Sequence, residues 1–255
     1  MRFASLGSGS RGNATLIACG ATYVLLDCGF TLKEVLPRLA RFGVTPEMLS
    51  AIVVTHEHGD HVRGVAALAR QYAIPVWMTP GTRRALGASV AKLATLHLFN
   101  SHASFALGDI EVQPFPVPHD AYEPCQFVFS NGDRRIGVLT DVGSLTPHIE
   151  QVLTRCDALI LECNHDRDML RESHYPESLK QRIGGKLGHL NNDASAELLT
   201  RVDTSRLQHI VAAHLSEKNN TPYLARTALS NALACAESWI QIADQDAGLA
   251  WRQLA

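Results

Sequence analysis

The run His56-Glu57-His58-Gly59-Asp60-His61 places three imidazoles and the Asp60 carboxylate in one short turn, directly after the apolar segment 51–55. That segment reads as a buried β-strand, so the run sits at a strand's C-terminal end, where α/β folds place their sites. Imidazole and carboxylate are borderline ligands suited to zinc, manganese or iron. Alternating residues can face one cavity while the intervening ones face away. His56 and His58 suit one ion; Asp60 and His61 suit a second. A lone histidine in a turn is best read as solvent-facing, but four candidate ligands in six residues have the spacing of a metal site.

Further candidates occupy the same structural slot. His119 follows the expected strand from Ile110, Asp141 ends the apolar strand 136–140, and His214 ends the strand 210–213. A carboxylate at a strand terminus can bridge two cations, which makes Asp141 the candidate bridge.

The elements that must position these residues read as strands first, then helices between strands. Strands are expected over 1–6, 14–19, 21–27, 51–55 and 75–78, with helices over 32–42 and 62–72 and from Pro80 to about Val90. A mostly antiparallel run follows over 94–99, 103–107, 110–117, 125–130 and 134–140. After Asp141 the pattern becomes helix 147–154, strand 157–162, helices 176–183 and 192–201, strand 207–213 and helix 222–236. The tail supplies two last strands, 239–242 and 249–254. Such an order implies two sheets face to face, with helices on the outer surfaces, in one domain spanning 1–255.

Composition narrows the function classes. Of the 255 residues 46% are hydrophobic and 19% charged, which is ordinary for a globular enzyme, and the formal net charge of −2 gives no bulk positive field for nucleic acid. No apolar run approaches membrane-spanning length and no signal-peptide core opens the chain, so a cytoplasmic protein without a membrane partner is expected. The six cysteines show no C-x-x-C spacing and are expected to be reduced. The loop Gly7-Ser8-Gly9-Ser10-Arg11-Gly12-Asn13 lacks the P-loop lysine and does not fit the dinucleotide fingerprint. Lys180, Arg182 and Lys186 could meet a nucleic-acid backbone, although three cations on a polar segment usually form a solvated face.

With the ligand candidates placed, the chain resembles the metallo-β-lactamase fold superfamily, whose signature is H-x-H-x-D-H followed by a distant His, Asp and His. The likeness extends over nearly the whole chain. Ser8–Asn13, Leu161-Glu162-Cys163-Asn164-His165-Asp166, Gly188-His189-Leu190-Asn191-Asn192-Asp193 and His214-Leu215-Ser216-Glu217-Lys218-Asn219-Asn220 more specifically resemble its YycJ/WalJ-like branch, regarded as nuclease-like. The resemblance implies an α/β, four-layer αββα sandwich. It also implies that His56, His58 and His119 hold a first metal, that Asp60, His61 and His214 hold a second, and that Asp141 bridges them. Two departures touch no implied ligand: Asn191, where that branch more usually has serine, and Cys28, where the superfamily tends to alanine or threonine.

The implied chemistry is hydrolysis of a phosphodiester, with a DNA exonuclease-like activity as the leading expectation and two divalent ions (Zn2+ or Mn2+, with Fe also fitting) ionising a bridging water. Asp60 would coordinate and also orient that hydroxide. His189 lies outside the ligand set, in a segment resembling the proton-donating histidine region of related phosphodiesterases, and is the candidate general acid; its bland reading is a helix-capping histidine. Ser8, Ser10, Asn13, Ser216, Asn219 and Asn220 carry donors suited to phosphate oxygens, against a plain role as turn and cap residues. Glu162, Asn164 and His165, at the end of a strand, are expected to line the cleft. Hydrolysis of a small phosphodiester, thioester or lactam is the enzymatic alternative, and a non-catalytic regulator retaining the fold is the alternative of another class. Intact His58 speaks against diiron redox chemistry, which in this fold replaces that histidine by glutamate.

Overall fold

A computed structural model describes residues 1–255. Period-two alternation in apolar strands, with both faces buried, builds the architecture. In the first part of the chain β1 (Arg2–Gly7), β2 (Ala14–Cys19) and β3 (Thr22–Leu26) form a meander, followed by α1 (Leu32–Arg41) and β4 (Ala51–Val53). Then come α2 (Gly59–Val62), α3 (Val65–Tyr72), β5 (Val76–Met78), α4 (Pro80–Leu86) and β6 (Leu96–Leu98). The second part opens with β7 (Phe105–Leu107), β8 (Ile110–Pro116), β9 (Cys125–Ser130) and β10 (Arg135–Leu139), then α5 (Pro147–Leu153) and β11 (Ala158–Glu162). It closes with α6 (Arg167–Glu172), α7 (Glu177–Ile183), α8 (Asn192–Arg201), β12 (His209–Ala213), α9 (Pro222–Leu233), β13 (Ile240–Ile242) and β14 (Leu249–Gln253).

The strands form two seven-stranded mixed sheets, ordered β14-β1-β2-β3-β4-β5-β6 and β13-β12-β11-β10-β9-β8-β7. Residues of alternate parity go to different layers. Phe3, Ile17, Val24, Leu26 and Val53 of the first sheet meet Val112, Phe127, Phe129, Val138, Ile160 and Val211 of the second in a central core. Their neighbours Leu6, Leu16, Leu25 and Ile52 face α1 and α3, whereas Leu139, Leu159, Leu161 and Ile210 face α5, α8 and α9. Each fully buried Leu, Ile or Phe contributes roughly 1.5–3 kcal/mol, and three such layers make the αββα sandwich expected for these residues.

Pairing differs from the sequence reading at one place. Leu96–Leu98 leaves the antiparallel run and pairs parallel with β5 in the first sheet. The tail strands separate: β13 adds parallel to β12, while β14 crosses to pair antiparallel with β1. The helix expected over 62–72 is also broken, because α2 already begins inside the histidine run and stops before Gly64. A Cβ at Gly64 would lie 2.0 Å from the Phe30 carbonyl oxygen, so glycine marks the break.

What matters for function is which end of the sheets is used. Strands β3, β4, β8, β10, β11 and β12 all deliver their C-terminal ends to one edge of the sandwich, where every candidate ligand lies, and the loop before α8 brings His189.

Candidate functional site

Short loops leave the strand ends under strain. Asp27, Asp141 and His214, each just past the end of β3, β10 or β12, have φ of +60°, +52° and +54°, a left-handed conformation disfavoured for residues with a Cβ. These are half of the six non-glycine residues at positive φ in the chain, so strain is concentrated at this edge. Gly29 clamps the same edge: a Cβ there would fall 1.7 Å from the Asp60 carbonyl oxygen. The Asp60 carbonyl also accepts from the Asn13 amide (2.8 Å) and the Cys28 amide donates to the His61 carbonyl (2.7 Å). These contacts seat α2 against the loop after β3.

The two halves of the run differ in backbone. His58 is extended at φ −61°, ψ 145°, and Asp60 and His61 form the first turn of α2. His56 and His58 therefore share a face by strand alternation, while Asp60 and His61 reach a neighbouring point by helical rotation.

The imidazoles are held from behind. The Thr55 hydroxyl donates to Asp27 Oδ2 (2.8 Å) and so accepts from His56 Nδ1 (2.9 Å), and Asp27 Oδ2 also accepts from His61 Nδ1 (2.8 Å). His119 Nδ1 donates to the Gly188 carbonyl (3.0 Å). Glu162 Oε1 accepts from both His189 Nδ1 (2.8 Å) and His214 Nδ1 (3.0 Å). In the neutral rings of His56, His61, His119 and His214, Nδ1 carries the proton and Nε2 presents its lone pair, the arrangement of metal-ligating histidines, whereas His189 carries a second proton on Nε2 when cationic.

Ligand atoms converge in two overlapping groups. His56, His58 and His119 form one, while His61, Asp60 and His214 form another, with Asp141 within reach of His56 and His61 and of His214. His58 Nδ1 and His119 Nε2 are 3.2 Å apart, and His61 Nε2 is 3.1 Å from Asp141 Oδ2. Ligands at zinc bond lengths in a tetrahedron stand about 3.3 Å from one another. Asp60 Oδ2 lies 3.6 Å from both His61 Nε2 and His214 Nε2. Buried His56 Nε2, Asp141 Oδ2 and His214 Nε2 have no hydrogen-bond partner. Orphaned lone pairs cost about 1–3 kcal/mol each unless something satisfies them, and a cation in each of the two groups would satisfy all three. The residues present fit divalent metal.

Charge divides the candidate ligands: burial disfavours the cation at His61 and His214, but Asp141 with Asp27 raises His61 well above its usual value, and Asp141 with Asp60 and Glu162 raises His214 to about 10. Burial and the neighbouring His61 push the His56 imidazolium well below its usual pKa, leaving the neutral ligand form. Burial opposes ionisation of Glu162, yet His189 and His214 hold its carboxyl at about 2. For His189 burial disfavours the cation, but the Glu162 carboxylate overrides it and raises the pKa.

The groups open on a cleft of about 340 Å³ lined by Ser10, His58, Asp60, Asp141, Asn164, His189 and His214, with Asp120 and Arg182 at its side. Ser10 and Asn164 thus stand where the sequence reading put them. The other donors do not. Asn13 and Ser8 are buried beneath the cleft, Asn13 against His61 Nε2 (3.2 Å) and Ser8 accepting from the His214 amide (2.9 Å). Asn219 is fully buried, and the Asn220 amide is committed to the Cys163 carbonyl (2.7 Å) and Asn192 Oδ1 (2.8 Å). Ser216 and Asn220 border a separate cavity behind the His214 loop, and buried His165 faces a groove on the far side of α7. A short Ser or Asn turn looks in sequence like a phosphate cradle, which is why Ser8, Asn13, Ser216, Asn219 and Asn220 were expected in the cleft. Asp27 has an anchoring role that the sequence reading missed, although it ends an apolar strand, the signal that singled out Asp141; Glu162, expected to line the cleft, is instead fully buried behind it and anchors His189 and His214. His97, His102, His148, His174 and His209 lie outside the ligand groups, and all six cysteines are free.

This fold and this edge of ligands define the metallo-β-lactamase class. Residues 22–210 match the model of the beta-lactamase superfamily domain, and the chain belongs to that family. It is 36% identical over 237 residues to exodeoxyribonuclease YycJ of Bacillus anthracis, covering 91% of this chain and 89% of that one. It is 35% identical over 240 residues to exodeoxyribonuclease WalJ of Streptococcus pneumoniae, covering 92% and 89%. Among solved structures, the metallo-beta-lactamase fold protein YhfI from Bacillus subtilis superposes with a TM-score of 0.77 over 99% of both chains at 17% identity. No helix is long and apolar enough to cross a membrane.

Proposed function

We propose that this protein is a metal-dependent phosphodiesterase that cleaves nucleic acid, DNA in the first place, from a strand end. The observation that carries the reading is the pair of ligand groups sharing Asp141 beside a histidine on a buried carboxylate, His189 on Glu162. His56, His58 and His119 would hold one divalent cation, and Asp60, His61 and His214 the other, with zinc or manganese favoured by the nitrogen-rich donor set and iron compatible. Such cations, when bound, supply the Lewis acidity that brings water near neutrality and draws charge from phosphate oxygens.

The remaining work falls to the chain's own groups. Asp60, with a carboxylate oxygen 3.6 Å from two imidazole nitrogens, orients the attacking water. His189 lines the cleft while its Nδ1 is locked to Glu162, so its Nε2 is the atom that delivers a proton to the departing alkoxide. Ser10 and Asn164 border the same space and position phosphate oxygens. The exodeoxyribonuclease names of the two relatives support DNA over other phosphodiesters.

The experiment is incubation of metal-loaded protein with end-labelled single- and double-stranded DNA beside bis-p-nitrophenyl phosphate, with a chelator and an Asp141→Ala variant. Progressive loss of terminal nucleotides that both controls abolish is the expected outcome; turnover surviving both would sink the metal mechanism.

A further inference from the structure

Five large hydrophobic side chains are conspicuously exposed in this protein, and two of them lie on segments that border the cleft. Tyr122 is 70% and Leu187 54% exposed. Their segments are joined at the rim: the Asp120 amide donates to the Leu187 carbonyl (3.0 Å), and the Tyr122 amide donates to Glu57 Oε1 (2.8 Å), between His56 and His58. Asp120 and Gly188, which line the cleft, are two residues and one residue from them in sequence. The backbone of both segments therefore reaches the rim of the cleft beside the first ligand group, and the Tyr122 and Leu187 side chains are exposed there.

A cation is fixed at the same lip. Arg182 donates from Nε to Asp120 Oδ2 (2.6 Å), and Asp120 Oδ1 lies 3.5 Å from His119 Nε2. The Arg182 side chain remains 63% exposed, and its two terminal amino groups make no hydrogen bond within the protein. An exposed aromatic ring with an adjacent apolar side chain stacks any base, and a guanidinium held in a fixed orientation receives a phosphate by paired hydrogen bonds.

We propose that Tyr122, Leu187 and Arg182 form a nucleotide subsite that stacks an unpaired nucleobase and holds the phosphate next to the one in the cleft. This rests on the phosphodiesterase reading and adds to it that the substrate strand is engaged single-stranded at the lip, by base stacking without base-edge recognition.

The test is binding, read separately from turnover. Metal-loaded protein is titrated into a single-stranded oligonucleotide with phosphorothioate linkages and 2-aminopurine at one or the other terminal nucleotide, and into the same strand with an abasic terminus. Wild-type protein should quench the 2-aminopurine, and Tyr122→Ala should remove the quench and raise Kd roughly 5- to 100-fold. Tyr122→Ala should not change Kd for the abasic strand, and Tyr122→Phe should behave as wild type. Arg182→Gln should weaken intact and abasic strands alike. Quenching and affinity unchanged in Tyr122→Ala, or equal wild-type affinity for intact and abasic strands, overturns the subsite alone. Wild-type protein that binds neither strand overturns the subsite and the nuclease reading together.

Discussion

Glu162 holds two histidines on one oxygen: its Oε1 accepts from His189 Nδ1 at 2.8 Å and from His214 Nδ1 at 3.0 Å, while its Oε2 accepts from the Val142 and Leu190 amides at 3.0 Å each. A fully buried carboxylate thus has four donors and links a candidate ligand to the candidate acid. In Glu162→Gln one oxygen becomes a donor, so either the two imidazole protons or the two amides lose their acceptor. Removing such a support from a ligating histidine typically costs 10- to 100-fold in metal affinity. Calorimetric zinc titration should show that loss for one ion per chain and leave the other close to wild type. An unchanged isotherm would mean that Glu162 supports no ligand.

His189 can be separated from the ligands by its leaving-group dependence. A general acid matters when the departing oxygen is basic and little when it leaves unaided, and positioned proton transfer contributes about 10²–10⁴-fold. His189→Ala should therefore lose activity in that range on a nucleotide alkoxide and markedly less on p-nitrophenolate. Equal losses on both would remove the proton-donor role and return His189 to a structural part.

The ability to read this chain from sequence was greatest where one feature had one physical explanation. Strands such as β3 and β10 announce themselves because both faces are buried, so apolar runs end abruptly at a charged residue, Asp27 or Asp141. The sheet to which β6 or β14 belongs is not written locally, since either parity of a three- to five-residue strand fits either sheet. Helix α6 escaped notice because six residues carry no helical period; only its cap, Asp166 Oδ1 accepting from the Asp168 and Met169 amides, marks it. At the site, the spacing of the histidine run is visible, whereas the hydrogen bonds that turn Asp27 or Glu162 toward a ring depend on loops far away in the chain. Asn219 and Asn220 failed for the converse reason, since their chemistry suits a ligand and their surroundings bury it.

Metal should stabilise the fold measurably, since ligands from both sheets must come together to bind it. At a free concentration about 100 times Kd a bound ion adds roughly 2.7 kcal/mol, and each kcal/mol raises Tm by about 2–4 °C in a chain of this size. Addition of zinc after chelation should raise Tm by several degrees, and Asp141→Ala should abolish most of the difference. A metal-insensitive Tm in the wild type would argue that these residues bind nothing under the conditions used.

Acid stability offers a test on a histidine outside the ligand set. His165 is 2% exposed with Nδ1 3.3 Å from Asn164 Oδ1, and burial, with opposition from Glu162 and reinforcement from His189, lowers its pKa from 6.5 to about 4. Between those values the unfolded chain binds more protons at this position than the folded one. Its contribution is therefore fully present above about pH 6.5 and is lost as pH falls toward 4, at up to about 1.4 kcal/mol per pH unit. His165→Gln keeps a polar group of similar size and removes the titration. Urea unfolding at pH 7.5, 5.5 and 4.5 should show the variant's deficit against wild type shrinking as pH falls, because only the wild type carries the extra proton linkage. A deficit constant across the three pH values would mean that the buried imidazole titrates alike in the folded and unfolded chain, and that its burial places no demand on its protonation.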